Sequence, residues 1–359
     1  MTVCILGNGL TALTLAKALT NQNIYVDILC NNKKLNINKT RTIGISKSNA
    51  DFLNRNVINA NKILWKIKKI EIFTDNLKKE KLLNFEKDTK QVFSIVKNFE
   101  LYRLLENDLS KDKYFKLKLI NDKSLSFIEK YDLVVNCDPS STITKKFFIK
   151  KIKKKYNSNA YTTIIKHKKI LNDTAVQIFT DKGPLAFLPI SNTQTSVVYS
   201  IPNSFTKIKE NIEKLIRDKN IKYDIKSIEK INNFELNFLN LKSYYHNNIL
   251  AFGDMLHRIH PLAGQGFNMT IRDIKFFLNI IKNKIEVGLP LDKSVNIEFE
   301  NYTKHKNFIF SNGIDMIHEF FNIERKTNSK FLSKSVQLIG NNSKLNKFFL
   351  KVADEGALF

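Results

Sequence analysis

Residues 253–273, GDMLHRIHPLAGQGFNMTIRD, concentrate residue types that can take part in chemistry. Three of the chain's eleven glycines, two of its six histidines and one of its six prolines lie here. Asp254 can accept hydrogen bonds from a chain of hydroxyl groups. Pro261 fixes a bend, and Gly264 and Gly266 let backbone N–H groups approach a flat ligand. MTIRDIKFFLNII (269–281) begins a predicted helix, and the positive end of its dipole favours negative charge nearby. The segment predicts a cofactor cradle; the alternative is a structural loop ahead of a helix.

The same segment holds His257 and His260, three positions apart. A histidine pair at this spacing can belong to a metal site, but no third ligand follows a matching pattern in the sequence. We therefore predict no metal site, and we interpret His260 as a structural or substrate-side contact.

A second glycine motif, GNGLTA, starts at residue 7 and follows the pattern G-x-G-x-x-A. Gly7 allows a tight turn, Gly9 lets a pyrophosphate approach the backbone, and the small Ala12 lets a helix pack closely on a sheet. The motif lies between a predicted strand, VCILG (3–7), and a predicted helix, LTALTLAKAL (10–19). This context favours a dinucleotide site over a plain turn.

One position departs from the usual dinucleotide pattern. An acidic residue commonly ends the second strand, where it binds a ribose hydroxyl. In IYVDILC (24–30) that position is Cys30, and strand alternation places Asp27 on the opposite face. The contact with an adenosine ribose is therefore in doubt.

The elements that must position these motifs change in type along the chain. The N-terminal strand–helix–strand unit predicts a parallel crossover, and YDLVVNCD (131–138) reads as a buried strand. Three strands separated by turn residues (173–181, 183–191 and 195–202) predict an antiparallel layer. NNILAFGD (247–254) is a strand that runs into the opening segment, and the chain reads as helical after Asp273.

The chain carries 59 basic and 34 acidic residues, a net charge of +25. This excess suits an anionic partner, either nucleic acid or a membrane surface. The lysines are spread along a chain also rich in Asn and Ile, which favours AT-rich genomic composition instead. No nucleic-acid-binding module is recognisable, so we predict no nucleic-acid partner. The run KKFFIKKIKKK (145–155) could contact lipid headgroups or form an ordinary solvated helix or strand edge.

Three scattered cysteines suit a reducing compartment. The N-terminus lacks a signal-peptide pattern, and no apolar run is long enough to cross a bilayer. We therefore expect a cytoplasmic protein.

HPLAGQGFNMTIRD closely resembles the signature of the flavin-dependent aromatic hydroxylases of ubiquinone biosynthesis, which belong to the para-hydroxybenzoate hydroxylase-like flavoprotein monooxygenases. RTIGIS (41–46), GPLAFLPI followed by SVVYS, Cys137-Asp138, and the spacing of Phe320 and Arg325 are also similar to that family. The resemblance implies an α/β fold: a Rossmann-like FAD-binding domain, an inserted antiparallel-sheet substrate domain and a C-terminal helical region.

The resemblance also implies FAD as cofactor and NAD(P)H as co-substrate. Its implied cofactor contacts are Gly7, Gly9 and Ala12 at the pyrophosphate, Arg41 near the phosphate or flavin, Asn98 as a weaker candidate, Asp254 at the ribityl chain or pyrophosphate, and Pro261, Gly264, Gly266 and Asn268 around the isoalloxazine. The chain departs from the family pattern at Ala12, Cys30, Pro139 and Thr270. The sequence identifies no catalytic side chain.

The predicted domain limits follow from the same resemblance. We predict that residues 1–68, 100–155 and 245–359 form the FAD-binding domain with the C-terminal helices, and that residues 69–99 and 156–244 form the substrate domain.

By resemblance, the protein would hydroxylate the aromatic ring of a prenylated phenol in ubiquinone biosynthesis, using NAD(P)H and O2. Such a substrate lies in the membrane, so peripheral membrane contact through the C-terminal stretch (331–352) and membership of a quinone-biosynthesis complex would suit it. For that stretch, simple packing on the FAD domain is equally expected. Two alternatives stand: a related hydroxylase with another aromatic substrate, and a degenerate, non-catalytic homologue.

Overall fold

The computed structural model describes the chain apart from residues 1, 33, 34, 36, 78, 79, 87–90, 121–125, 207–210, 328, 329, 342 and 357–359. The described strands are β1 (Thr2–Leu6), β2 (Tyr25–Cys30), β3 (Thr42–Ser46), β4 (Trp65–Ile67), β5 (Lys69–Thr74), β6 (Lys81–Glu86), β7 (Phe93–Lys97), β8 (Phe115–Leu119), β9 (Leu133–Asn136), β10 (Lys151–His167), β11 (Thr174–Thr180), β12 (Gly183–Pro189), β13 (Gln194–Pro202), β14 (Ile225–Ile228), β15 (Asn232–Leu241), β16 (Tyr245–His246), β17 (Ile249–Ala251) and β18 (His257–Arg258).

The described α-helices are α1 (Leu10–Thr20), α2 (Lys47–Phe52), α3 (Asn98–Leu109), α4 (Thr142–Phe147), α5 (Asn203–Thr206), α6 (Ile212–Lys219), α7 (Gln265–Glu286), α8 (Lys293–Thr327), α9 (Lys330–Asn341) and α10 (Ser343–Glu355).

The first sheet has six strands in the order β16-β17-β9-β1-β2-β8, and every pair except β16–β17 is parallel. Its central strands read as continuous apolar runs because helices cover both faces of a parallel sheet. Val3, Cys4 and Ile5 of β1 are fully buried, and α1 and α7 contribute to the same core. The predicted strand–helix–strand crossover at the N-terminus is confirmed.

The second sheet follows the order β18-β15-β10-β13-β12-β11-β5-β6, with β14 also paired to β10. β10 to β13 pair antiparallel, which confirms the predicted antiparallel layer. One face of this sheet packs on its own core, which includes Leu185, Phe187, Val197 and Tyr199. The mixed architecture confirms the predicted fold class, whereas the domain limits stay predictions.

A third, three-stranded sheet (β3-β7-β4) lies between these layers. Its strand β3 carries Gly44, where an added Cβ would lie only 2.1 Å from Cε1 of Phe93. A hydrogen bond of 2.8 Å from Thr42 Oγ1 to Ser196 Oγ joins β3 to β13 of the second sheet. The small sheet therefore contacts both larger ones, since its residues belong to cores shared with each.

The structure differs from the sequence-based predictions at two places. The helix predicted from Met269 begins at Gln265, four residues earlier, because Gly264 caps the helix there. The basic run at 145–155 divides between the end of α4 and the start of β10, so its residues fall on different faces. Among the described helices, none has both the length and the apolarity that crossing a bilayer requires.

Candidate functional site

The two glycine-rich segments meet at the carboxyl end of the first sheet. Gly7 ends β1 with a φ of +90°, and an added Cβ would lie 3.1 Å from Cβ of Asp138, which follows β9. Gly253 follows β17, and a Cβ there would lie 2.6 Å from Cγ2 of Thr11 in α1. GNGLTA and the 253–273 segment are therefore direct neighbours, although the sequence separates them widely.

The N-terminus of α1 is suited to an anion. Gly9 is its N-cap, no side chain caps the helix among the residues described, and its first turn carries no acidic residue. A Cβ added to Gly9 would meet no protein atom within 4 Å. Backbone N–H groups and the helix dipole thus face open space, an arrangement that binds phosphate groups. Ala12 is fully buried beneath this turn, where its small side chain lets α1 pack on the sheet.

The end of β2 offers no carboxylate to a ribose. The thiol of Cys30 is 5% exposed, and its Sγ lies 4.0 Å from the carbonyl oxygen of Lys118. The Asp27 carboxylate lies on the other side of the strand, where it pairs with Lys118 Nζ and accepts a hydrogen bond of 2.7 Å from Tyr131 Oη. The predicted separation of Asp27 from Cys30 is confirmed, and Asp27 is already committed to partners.

Arg41 and Asn98 lie side by side at the edge of the third sheet. The Asn98 backbone N–H donates to the Arg41 carbonyl oxygen at 2.9 Å. The Arg41 side chain is exposed, with its guanidinium 5.5 Å from the ring centroid of Phe234. Asn98 Oδ1 is buried and has no hydrogen-bond partner within the described chain. An exposed cation and an unmatched acceptor thus belong to two residues whose backbones are hydrogen-bonded.

The segment after Pro261 forms a tight backbone cradle. Leu262–Gly264 is a 3-10 turn, and Gly264 adopts a φ of +62° as N-cap of α7. A Cβ on Gly264 would lie 3.4 Å from backbone atoms of Gly44, whereas a Cβ on Gly266 would meet nothing within 4 Å. One glycine is therefore needed for the turn and for its packing on β3, and the other borders open space.

Asn268 holds this cradle together from behind. Its Oδ1 accepts from the Ser46 backbone N–H and from Asn49 Nδ2, both at 2.9 Å. Its Nδ2 donates to the carbonyl oxygens of Gly44 at 3.0 Å and Gly264 at 3.1 Å. The side chain is fully buried and has no free polar atom to offer a ligand. Its contribution to a flavin site would be to position the loop.

The two histidines of the segment have different partners. His257 Nε2 lies 2.6 Å from Asp273 Oδ2, and Asn307 Nδ2 donates to the other oxygen of that carboxylate at 2.9 Å. His260 instead stacks on His318 of α8, with ring centroids 4.3 Å apart. The pair at 257 and 260 therefore does not converge on one point.

Three apolar side chains form an apolar wall on one face of the second sheet. Ala186 and Leu188 of β12 and Val198 of β13 alternate with the core-facing residues of the second sheet, and each is only partly buried. Leu188 packs toward the third sheet, which carries Gly44.

The residues present fit FAD. Open space at Gly9 and Gly266 lies at the ends of two helices that no side chain caps among the described residues. Oδ1 of Asn98 and Oε1 of Gln265 are buried without hydrogen-bond partners there. Buried polar atoms nearly always have a hydrogen-bond partner, so a ligand with donor groups would supply hydrogen bonds to both oxygens.

Comparison with known proteins points the same way. A family model described as "FAD binding domain" matches residues 151–282, from the start of β10 into α7. Ubiquinone biosynthesis monooxygenase COQ6 of Drosophila melanogaster is 24% identical over 221 residues, 51% of this chain and 46% of that protein. 3-Demethoxyubiquinol 3-hydroxylase of Escherichia coli is 26% identical over 156 residues, 42% of this chain and 40% of that protein.

The predicted resemblance is confirmed. The matched segments span less than half of those relatives' own length. Solved structures match nearly the whole chain. The structure of p-nitrophenol 4-monooxygenase PnpA from Pseudomonas putida superposes with a TM-score of 0.79 at 12% identity, over 100% of this chain and 99% of that one. HpxO of Klebsiella pneumoniae, complexed with FAD and uric acid, gives 0.76 at 11% identity, over 100% and 98%. The chain carries an FAD-binding domain in the fold of FAD-dependent monooxygenases.

Several contributors to the site escaped the sequence analysis. Thr11 contacts Gly253, Phe93 fills the space over Gly44, and Gln265 presents a buried, unmatched oxygen. His318 stacks on His260 from a distant helix. Thr11 and Gln265 had a visible signal, because each lies within one of the two glycine motifs.

Replacing Asn268 tests its role as a support. We expect Asn268→Ala to lower the free energy of unfolding by about 2–4 kcal/mol, because it removes four hydrogen bonds of a fully buried side chain. Denaturant unfolding measures this, with Asn283→Ala, exposed on the same helix, as control. A loss below about 0.5 kcal/mol, typical of surface changes, would contradict the role.

Replacing Gly266 separates folding from ligand binding. Alanine is favoured over glycine inside helices by about 1 kcal/mol, so we expect Gly266→Ala to raise the Tm of the flavin-free protein slightly. The added Cβ enters the open space, so we expect the Kd for FAD to rise about tenfold, or about 1.4 kcal/mol.

Gly313→Ala is the matched control, because a Cβ there also meets nothing within 4 Å but the position lies in α8. It should leave the Kd unchanged. Equal FAD binding by both variants in a fluorescence titration would show that Gly266 does not border the flavin.

Proposed function

We propose that this protein is an FAD-dependent monooxygenase that hydroxylates the aromatic ring of a prenylated phenol in ubiquinone biosynthesis, using NAD(P)H and O2. The observation that carries the proposal is the meeting of the uncapped α1 N-terminus with the 253–266 turn, which lies in the segment that the FAD-binding domain model matches. Bound FAD would supply the transfer of electrons from NAD(P)H and the activation of O2, while the protein supplies binding and orientation.

The α1 end would hold the pyrophosphate. The backbone N–H groups after Gly9 offer donors to phosphate oxygens, and Gly9 lets them approach. Asp254 is exposed at the turn after β17, within reach of the same opening. Its carboxylate would accept hydrogen bonds from ribityl hydroxyls, and the exposed Arg41 would add positive charge on the phosphate or flavin side.

The α7 end would hold the isoalloxazine. Pro261, Gly264 and Gly266 form the cradle, and the N-terminus of α7 directs its positive dipole there. The dipole would stabilise negative charge on a flavin bound there. Asn268 and Gly44 keep this backbone in place, so the stabilisation needs no rearrangement.

The apolar wall supports an aromatic substrate. Ala186, Leu188 and Val198 would pack on a ring and exclude water from the reacting face. The names of the relatives support a quinone-related phenol. The fold similarity to enzymes titled for p-nitrophenol and uric acid keeps another aromatic substrate as the second candidate.

Peripheral membrane contact belongs to the same proposal. Exposed apolar side chains occur along the last three helices, including Met316 (72% exposed), Leu338 (73%) and Phe348 (49%). Lys344, Lys347 and Lys351 accompany them on α10. Apolar side chains beside lysines suit an anionic bilayer surface, such as the inner face of a cytoplasmic membrane, where a prenylated substrate resides.

The test is single-enzyme reconstitution. Purified protein with FAD, NAD(P)H and a short-tailed prenylphenol should yield a product heavier by one oxygen atom, and isotopically labelled O2 should provide that atom. An Asp254→Ala variant should show a raised KM for FAD. Mass spectrometry of quinone intermediates in a deletion strain would name the ring position.

The results separate the alternatives. A colourless protein that FAD cannot reconstitute would favour the degenerate homologue suggested by Cys30. NAD(P)H oxidation with transfer of oxygen only to other aromatic compounds would favour the second candidate. Normal quinone levels in the deletion strain would refute the assignment to ubiquinone biosynthesis.

A further inference from the structure

His260 is a buried imidazole without hydrogen bonds. Its side chain is 1% exposed, and neither ring nitrogen has a partner among the residues that the structure describes. Most buried polar atoms do have one. His260 directly precedes Pro261 of the cradle, so this ring with two unmatched nitrogens belongs to the residue next to the flavin loop.

His318 connects this buried ring to the surface. The two imidazoles are stacked at 27°, with centroids 4.3 Å apart, and Tyr156 stands edge-on to both. His318 also lines a surface cavity of about 510 Å³, which includes its part open to solvent, together with Phe321 and Arg325. The imidazole pair therefore links the residue that precedes the cradle to a surface cavity.

The charged groups around the pair largely neutralise one another. Lys154 of β10 pairs with Asp315 at 3.1 Å and with Glu319 at 2.6 Å. Tyr156 Oη donates to Asp315 at 2.8 Å. Asp315, His318 and Glu319 place potential metal-ligand atoms within 4.8 Å of one another, but Lys154 is already the cation there.

Both imidazoles are uncharged at neutral pH. Burial, aided by neighbouring His318, holds the pKa of His260 well below 6.5. Burial also lowers the pKa of His318; Glu319 and Asp315 oppose this shift, and Lys154 and Arg325 add to it. A neutral imidazole can accept a proton at one nitrogen and release one from the other.

The proposed reaction needs a proton. Hydroxylation converts the substrate, O2, NAD(P)H and one proton into the hydroxylated product, NAD(P)+ and water. A site closed to water must obtain that proton through the protein.

We propose that His260 and His318 carry protons between the surface cavity and the flavin loop. This inference rests on the proposed function. His318 accepts a proton from cavity water at one ring nitrogen and releases one from the other. A bridging water passes it to His260, since stacked rings do not direct their nitrogens at each other, and His260 releases a proton toward the oxygen being reduced to water. Each imidazole ends the cycle neutral.

The test compares His318→Asn with His305→Asn, an exposed histidine on the same helix. We expect the first variant to lose about tenfold or more in turnover, with a loss that grows as pH rises and protons become scarce. Added imidazole should restore part of the rate. The control should match the wild type. A His318→Asn variant with wild-type turnover and pH profile would overturn the proposal, whereas a wild type without NAD(P)H-dependent turnover would refute the proposed function.

A second readout does not depend on turnover. The chain has only six histidines, so NMR of carbon-labelled histidine can follow each ring, with His260→Asn and His318→Asn variants for assignment. We expect both rings to stay neutral below pH 6.5. An ordinary titration near 6.5 for either ring would overturn the proposal.

Discussion

The amide of Asn268 is the contact on which the candidate site most depends. It joins the start of α2, strand β3 and the turn before α7 through four hydrogen bonds in a place without water access. Because unmatched buried amides are costly, the cradle can adopt only the arrangement that satisfies all four. The backbones of Gly44 and Gly264 then lie in contact, and the space at Gly266 is left open.

The second constraint is electrostatic. The protein is strongly basic, yet the cofactor region depends mainly on backbone dipoles: α1 and α7 both begin at glycines without a side-chain cap among the described residues. The adenosine end differs, since Cys30 replaces an acid and Asp27 is already paired with Lys118. Binding energy should therefore come chiefly from the phosphates and the flavin.

Much of the fold could be predicted from local patterns. The β1–α1–β2 unit combines apolar runs, helical spacing and glycines, all of which lie within a short window. The antiparallel layer followed from strands separated by turn residues. The start of α7 was placed too late, because Gly264 acts there as a helix start with a left-handed backbone, a feature that periodicity does not reveal.

The sequence predicted the site only at positions where the backbone itself would contact a ligand. Gly7, Gly9, Gly264 and Gly266 were visible because glycine is scarce in this chain. The role of Asn268 as a support, the packing of Phe93 over Gly44, and the stack of His260 on His318 all depend on pairing between distant segments. A single sequence holds no signal for such pairs, since each residue type is common in other surroundings.

Equilibrium titration of the purified protein with FAD, and separately with FMN, tests the central claim most directly. The visible absorbance of the flavin reports binding. The account predicts saturable one-to-one binding of FAD, with FMN weaker by no more than about tenfold, because the adenosine end offers no carboxylate. The absence of saturable FAD binding would contradict the account. If FAD binds but FMN binds more weakly by orders of magnitude, the binding energy does not come chiefly from the phosphate and flavin end.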